Sequence, residues 1–174
     1  PYAMYQFLIN QADEDVKKLL LALTFLSISD IDTIMKKHEE NKALRYAQKT
    51  LAQTIVNDIY GPQEVGKCIR ISETLFSGKL EELDVKDIKV ALNGVPTFNA
   101  ELDQYDICDL LVNAQVVPSK SNARQLIQSN SISVNGKLIT DIHQMISKHE
   151  AKGEDEKFSY FRKGKKNYCL VNWK

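Results

Sequence analysis

Along the first half of the chain, apolar residues recur at spacings of three and four, which places them on one face of successive helices. Val16, Leu19, Leu20 and Leu23 make one such face, with Asp13 or Asp15 able to cap it. Ser29 followed by Asp32 resembles a capping box with Asp in the Glu position, opening a short helix that carries Ile31, Ile34 and Met35. From Lys42 to Tyr60 the positions Leu44, Ala47, Leu51, Ile55 and Ile59 predict a long amphipathic helix. Gly61 stands at its C′ position and Pro62 opens the next helix, with Val65, Ile69 and Leu75 inward, ending at Ser77-Gly78. Asp84 caps a shorter helix to Leu92, stopped by Gly94 and Pro96. No alternation of period two occurs before residue 130, so this half predicts a helical bundle.

The texture then changes. Gly94 to Gln104 has no periodicity and reads as a linker. Asp106 to Asn113 predicts a short helix, and Ser119 caps a second whose inner face is Ala123, Leu126 and Ile127. SISV, Asn135-Gly136 and KLI form a hairpin signal, alternating residues around an Asn-Gly type I′ turn. KFSYFR and NYCLVNW are two more strand-like runs, flanking the turn at Lys163 to Lys166. The expectation is an α+β chain. Residues 1–94 form a helical domain, 95–104 a linker, and 105–174 a small domain of two helices on a mostly antiparallel sheet.

Composition narrows the function. At 174 residues, 43% apolar and 26% charged, the chain is ordinary globular protein with room for one or two small cores. No apolar run reaches the roughly 18–20 residues that span a bilayer, and no basic leader precedes an apolar stretch. Cys68, Cys108 and Cys169 form no CxxC and no paired framework, which fits a reducing cytoplasm. The formal net charge is zero, but its distribution is not even. Pro1 to Val117 holds 12 Lys/Arg against 18 Asp/Glu, and Pro118 to Lys174 holds 11 against 5. The last third alone suggests an anionic partner.

Catalytic signatures are missing. Gly61, Gly66, Lys67 and Cys68 spell most of a phosphate-binding loop, but a helix precedes it and Cys68 stands where magnesium needs a hydroxyl. His38, His143 and His149 share no ligand or catalytic spacing and read as solvated surface. Two basic groups remain. Lys120 and Arg124, four apart, share a helix face, and Arg162, Lys163, Lys165 and Lys166 crowd one turn around Gly164. Cations packed this closely repel one another, and a phosphate backbone would relieve that repulsion.

The run PSKSNARQLIQSNSISVNGKLITD, followed by FRKGKKNYCLV, resembles the small RNA-binding domain named after the fourth small-subunit ribosomal protein. It is most similar to the version at the C-terminus of the bacterial-type tyrosyl-tRNA synthetases. PYAMYQFLIN, LTFLSISDID, AQKTLAQTIV, IRISETLFSG and VPTF resemble, in the same order, that family's helical anticodon-binding region.

The resemblance implies a C-terminal fragment that starts just past the catalytic domain. Neither the HIGH-like nor the KMSKS-like signature of that domain is present. ATP and magnesium therefore belong to the missing part, and the fragment needs no cofactor or metal. Its implied partner is tyrosine tRNA, with no DNA and no membrane, in the cytoplasm. The parent dimerises through the missing domain, which makes the fragment a monomer. By resemblance, Lys120, Arg124, Arg162, Lys163, Lys165 and Lys166 touch tRNA. Ser121 and Asn167 occupy positions where relatives often carry a further cation. An acid near the first helix can accept from an anticodon base, and Asp13 or Asp15 is the candidate, with helix capping as the other explanation for either. Arg45 and Lys49 share a face and reach phosphate or form a surface pair with acids. Two other readings remain: a non-catalytic ribosome-associated RNA binder, and a helical interaction domain whose basic tail is incidental.

Overall fold

A computed structural model describes residues 1–165 and 167–174. The chain divides into two compact units, Pro1–Ser72 and Glu73–Lys174. The division falls within a helix, not at the expected boundary beyond residue 94.

The first unit is helical: α1 (Tyr2–Ile9), α2 (Asp13–Leu23), α3 (Ile28–Glu40), α4 (Tyr46–Tyr60) and most of α5 (Pro62–Ser77). Helix α4 is the hub, packing against α1, α2 and α3. Its buried face carries Ala47, Leu51, Ala52 and Val56, met by Val16, Leu20 and Ile31 from the unit's core. Full burial of a side chain such as Leu51 contributes about 1.5–3 kcal/mol. The expected start at Lys42 is four residues early. Lys42–Leu44 is a 3-10 turn, and Arg45 takes a left-handed conformation (φ 52°) before α4 begins. Leu44 therefore falls outside α4 and is exposed, and Ile59 in the last turn of α4 is exposed too.

Two capping assignments also move. The α3 cap is Ser27, whose hydroxyl accepts from the Asp30 N–H and donates to the Asp30 carboxylate. The motif therefore lies two residues before Ser29. Neither Asp13 nor Asp15 caps α2: the cap position is Ala12, and both acids lie in the first turn. Gly61 does close α4 at φ 87°, as the Gly-Pro pair predicts. Gly66 is inside α5, so the Gly-x4-Gly-Lys string forms no loop. The face of α5 is rotated from the predicted one, with Cys68, Ile71 and Thr74 buried and Val65, Ile69 and Leu75 only partly so.

The second unit contains α6 (Val85–Ala91), α7 (Ile107–Asn113) and α8 (Lys120–Gln128), together with two sheets. The larger sheet has the order β1 (Thr97–Ala100), β7 (Asn167–Trp173), β6 (Phe158–Lys163), β3 (Ile132–Val134), β4 (Lys137–Leu138). Strands β2 (Gln104–Asp106) and β5 (Met145–Ser147) form the smaller one. The stretch expected to be a linker thus supplies β1, which pairs parallel with β7, Ala100 opposite Trp173. All other pairings are antiparallel. The Asn-Gly turn forms as predicted, with Asn135 and Gly136 at φ 50° and 86°. Asn135 also ties the hairpin to β6: its N–H donates to the Tyr160 carbonyl, and its Oδ1 accepts from the Tyr160 N–H at 3.0 Å.

Alternation along β6 and β7 decides what each face of this sheet meets. Phe161, Cys169, Val171 and Trp173 join one apolar core with Ile107, Leu110 and Leu111 of α7 and Ala123 and Ile127 of α8. Phe158, Tyr160, Arg162 and Tyr168 occupy alternate positions and meet the segment before β1. Lys89 of α6 lies over the Phe158 ring at 5.3 Å, and the Arg162 guanidinium donates to the Gly78 carbonyl at 2.7 Å. Burial pushes the Tyr160 hydroxyl well above its ordinary range. Residues 78–92 therefore belong to the sheet-bearing unit. Their helical periodicity placed them with the bundle, but their partners are strand residues far along the chain.

Candidate nucleic-acid interface

In the first unit, a polar cluster joins the ends of three helices. Asp13 Oδ1 accepts from Gln48 Nε2 at 2.5 Å and lies 3.1 Å from His38 Nε2. His38 and Gln48 are both completely buried. His38 is therefore not a surface residue. Its spacing continues the Ile31, Ile34 pattern on α3, a signal present in the sequence but masked by the residue type. The Gln48 amide, with the His38 ring, holds the Asp13 carboxyl below its ordinary range. A depressed carboxyl stabilises the fold above its unfolded value and loses that contribution as pH falls through its folded one. Asp13→Asn should thus lower the melting temperature most at about pH 7, and the gap to the parent chain should close toward about pH 2. A gap that stays constant across a pH series of thermal melts would show that the carboxylate charge is irrelevant.

Asp15 is different. It is exposed, with Lys18 at 3.5 Å. Arg45 lies beside the Asp13 cluster: its guanidinium donates to Asn10 Oδ1 and the Gln11 carbonyl, each at 3.4 Å. Lys49, one turn on, is exposed. Asn10, Gln11 and Gln48 had no sequence signal of their own, since each is an ordinary polar residue until the helix ends converge.

In the second unit, Ser119 caps α8 by accepting from the Asn122 N–H at 3.3 Å. Lys120 and Arg124 are exposed on its first two turns. Lys120 faces an acid on α7 and Arg124 a thiol. Lys120 pairs with Asp109 at 2.5 Å, which raises the pKa of the amine above its ordinary value. Arg124 bears on the Cys108 thiol, whose pKa is nevertheless raised, mainly by burial. Cys169 is buried too, its thiol pushed up to about 11. Of the two cations of α8, Lys120 is thus partly neutralised by its ion pair.

The basic turn is divided by the strand it ends. Lys163 projects to the helical side, where its amine donates to the Val116 carbonyl at 2.9 Å, in the turn that leads to Ser119 and α8. Arg162 projects to the other side, toward Gly78 and Tyr168. Gly164 turns the hairpin at φ 64°, and Lys165 is exposed at its tip. Lys166 lies outside the described residues. Lys163 therefore joins the side of the sheet that carries Lys120 and Arg124, and Arg162 does not. Among the described residues there is no cluster of potential metal ligands and no helix long and apolar enough to cross a membrane.

Two family models cover most of the chain. Residues 1–77 match the class I tRNA synthetases of the tryptophan and tyrosine type, and residues 87–171 match the tyrosine–tRNA ligase SYY-like C-terminal domain. The tyrosine–tRNA ligase of Ureaplasma urealyticum is 41% identical over 172 residues, covering 99% of this chain. The chain belongs to the tyrosyl-tRNA synthetase family. A tyrosine–tRNA ligase of Streptococcus thermophilus is 39% identical over 173 residues. This chain spans 41% of the length of either relative. A solution structure of a tyrosyl-tRNA synthetase C-terminal domain is 34% identical, covers 57% of this chain and 98% of that one, and superposes with a TM-score of 0.45. Family membership accounts for the order of the two units, helical first and mixed second. Among the described residues there is no doubly wound parallel sheet.

Proposed function

We propose that this chain is the tRNA-binding portion of a tyrosine–tRNA ligase. The observation that carries this reading is the similarity of one ligase to 99% of the chain, through both units. The helical unit takes the anticodon stem and loop. Asp13 is the better candidate for an acidic acceptor to an anticodon base, because buried partners hold its Oδ1 while the side chain stays 41% exposed. Asp15, exposed and next to a lysine, has no such support. Arg45 and Lys49 approach the backbone beside it. The sheet-bearing unit takes the long variable arm through Lys120, Arg124, Lys163 and Lys165, with Lys166 beside them in sequence. Such cations read phosphate spacing and helix shape rather than base edges.

Attachment of tyrosine, with ATP and magnesium, belongs to the part of the relatives that this chain does not span. The chain alone is a cytoplasmic monomer with no exchange activity between ATP and pyrophosphate. Titration with tyrosine tRNA, other tRNAs and an unrelated structured RNA at fixed salt tests the reading. Preference for tyrosine tRNA is expected. Equal binding of every structured RNA would point instead to a general RNA binder, and no binding at moderate salt to a helical interaction domain.

A further inference from the structure

The second unit carries a cleft of about 420 Å³ beside the basic hairpin. Its floor includes Phe161 and Cys169, both buried, and its rim includes Gln115, Lys163 and Asn167. Three features restrict what it can hold. Its size falls among clefts of about 300–1,000 Å³ that take small organic groups, and it is too small for a base pair with its backbone. No Asp or Glu is among the lining residues, while Lys163 is, and exposed Lys165 follows two residues on. Three lining side chains are exposed: Pro96, and the carboxamides of Gln115 and Asn167, each of which offers a donor and an acceptor in one plane.

Gln115 is presented deliberately by the backbone. It adopts φ 56° in the turn after α7, where its N–H donates to the Val112 carbonyl and the next N–H donates to that of Leu111. Asn167 opens β7 opposite Lys163, on the same face of the sheet. An apolar floor, paired carboxamides at the rim and an amine to one side match a planar heterocycle joined to a phosphate.

We propose that this cleft holds one unpaired nucleotide of the bound RNA, its base over the apolar floor and its edge read by Gln115 and Asn167. This rests on the tRNA-binding reading and adds a base-reading subsite to a surface otherwise sensitive to phosphate alone. The interface then carries sequence preference at one unstacked position.

The test uses the whole chain, tyrosine tRNA, and a fully paired RNA duplex with no loop or bulge. Asn167→Trp fills the cleft with a side chain that strands accept, and Gln115→Asn shortens the rim at a residue type that tolerates positive φ. Each is expected to weaken tRNA binding about tenfold and leave duplex binding unchanged. Chemical footprinting should show one unpaired nucleotide protected by the parent chain and exposed with either variant. Gln115→Asn preserves the backbone, so it decides the matter if Asn167→Trp fails to melt like the parent. Unchanged tRNA affinity in Gln115→Asn with no protected nucleotide would overturn the proposal, as would equal losses for tRNA and duplex. Competition by free AMP or GMP at millimolar concentration would show a mononucleotide site instead, and would also overturn it. If the parent chain does not prefer tyrosine tRNA, the reading of the whole chain fails. If it does prefer it and no nucleotide is protected, only the cleft proposal fails.

Discussion

Replacing Lys120, Arg124 and Lys165 together with Ala should weaken tyrosine-tRNA binding about 100-fold at moderate salt, or roughly 3 kcal/mol. Each phosphate contact that is lost should also lower the slope of log K against log salt by about one unit, so the triple variant should lose roughly two to three. The loss at α8 has two parts. Lys120 forms an ion pair with Asp109, so its removal both deletes a cation and leaves that carboxylate facing phosphate. Folding should change little, since exposed substitutions away from special features usually stay within about 0.5 kcal/mol. Lys86 and Lys137 are the control pair, both exposed and neither among the residues proposed to meet RNA. Equal losses from control and test sets would mean that the overall charge, not this surface, attracts RNA. Filter binding across a salt series distinguishes the outcomes.

Arg162 should behave in the opposite way, although it is next to Lys163 in sequence. Its guanidinium satisfies the Gly78 carbonyl at the end of α5, and Gly78 itself is held at φ 77°. A Cβ on Gly78 would come within 2.2 Å of Arg162 Nη1. Gly78→Ala therefore does two things: it forces a side chain into left-handed backbone and pushes the guanidinium off its acceptor. The first costs about 1 kcal/mol and the second, a hydrogen bond to a charged group, about 1.5–3 kcal/mol. The expected total is about 2–4 kcal/mol of stability, read by denaturant unfolding. Arg162→Ala alone should cost about 1.5–3 kcal/mol while leaving the salt slope of tRNA binding unchanged. Because the two residues share one contact, the double variant should lose less than the sum of the single losses. Additive losses, or a salt slope that drops with Arg162→Ala, would return Arg162 to the RNA-binding set.

Much of the local structure was legible because its causes are local. The Asn135-Gly136 turn needs positive φ at both positions, and few other residue pairs supply it. Ser119 and Asp84 cap α8 and α6 because their side chains meet N–H groups only three residues away. The apolar stripe through Ala47, Leu51 and Ile55 marks α4 because burial follows the helical repeat. The family itself was legible in short strings spread over both units, whichever residues those strings later met.

What required the tertiary structure was every choice of partner. Thr97–Ala100 shows no alternation, and its pairing is with a strand some seventy residues later, so β1 read as a linker. His38 read as surface because histidine tolerates water; its burial beside Asp13 appears only in the folded chain. The basic turn is the sharpest case. Four cations in five residues look like one patch in a linear string. Strand alternation sends Arg162 and Lys163 to opposite faces, and only what covers each face decides which one braces the fold and which one faces the helix turn. A sequence carries the period that separates neighbouring side chains. It does not carry the distant backbone carbonyl each of them will reach, because that depends on contacts made only once the chain has folded.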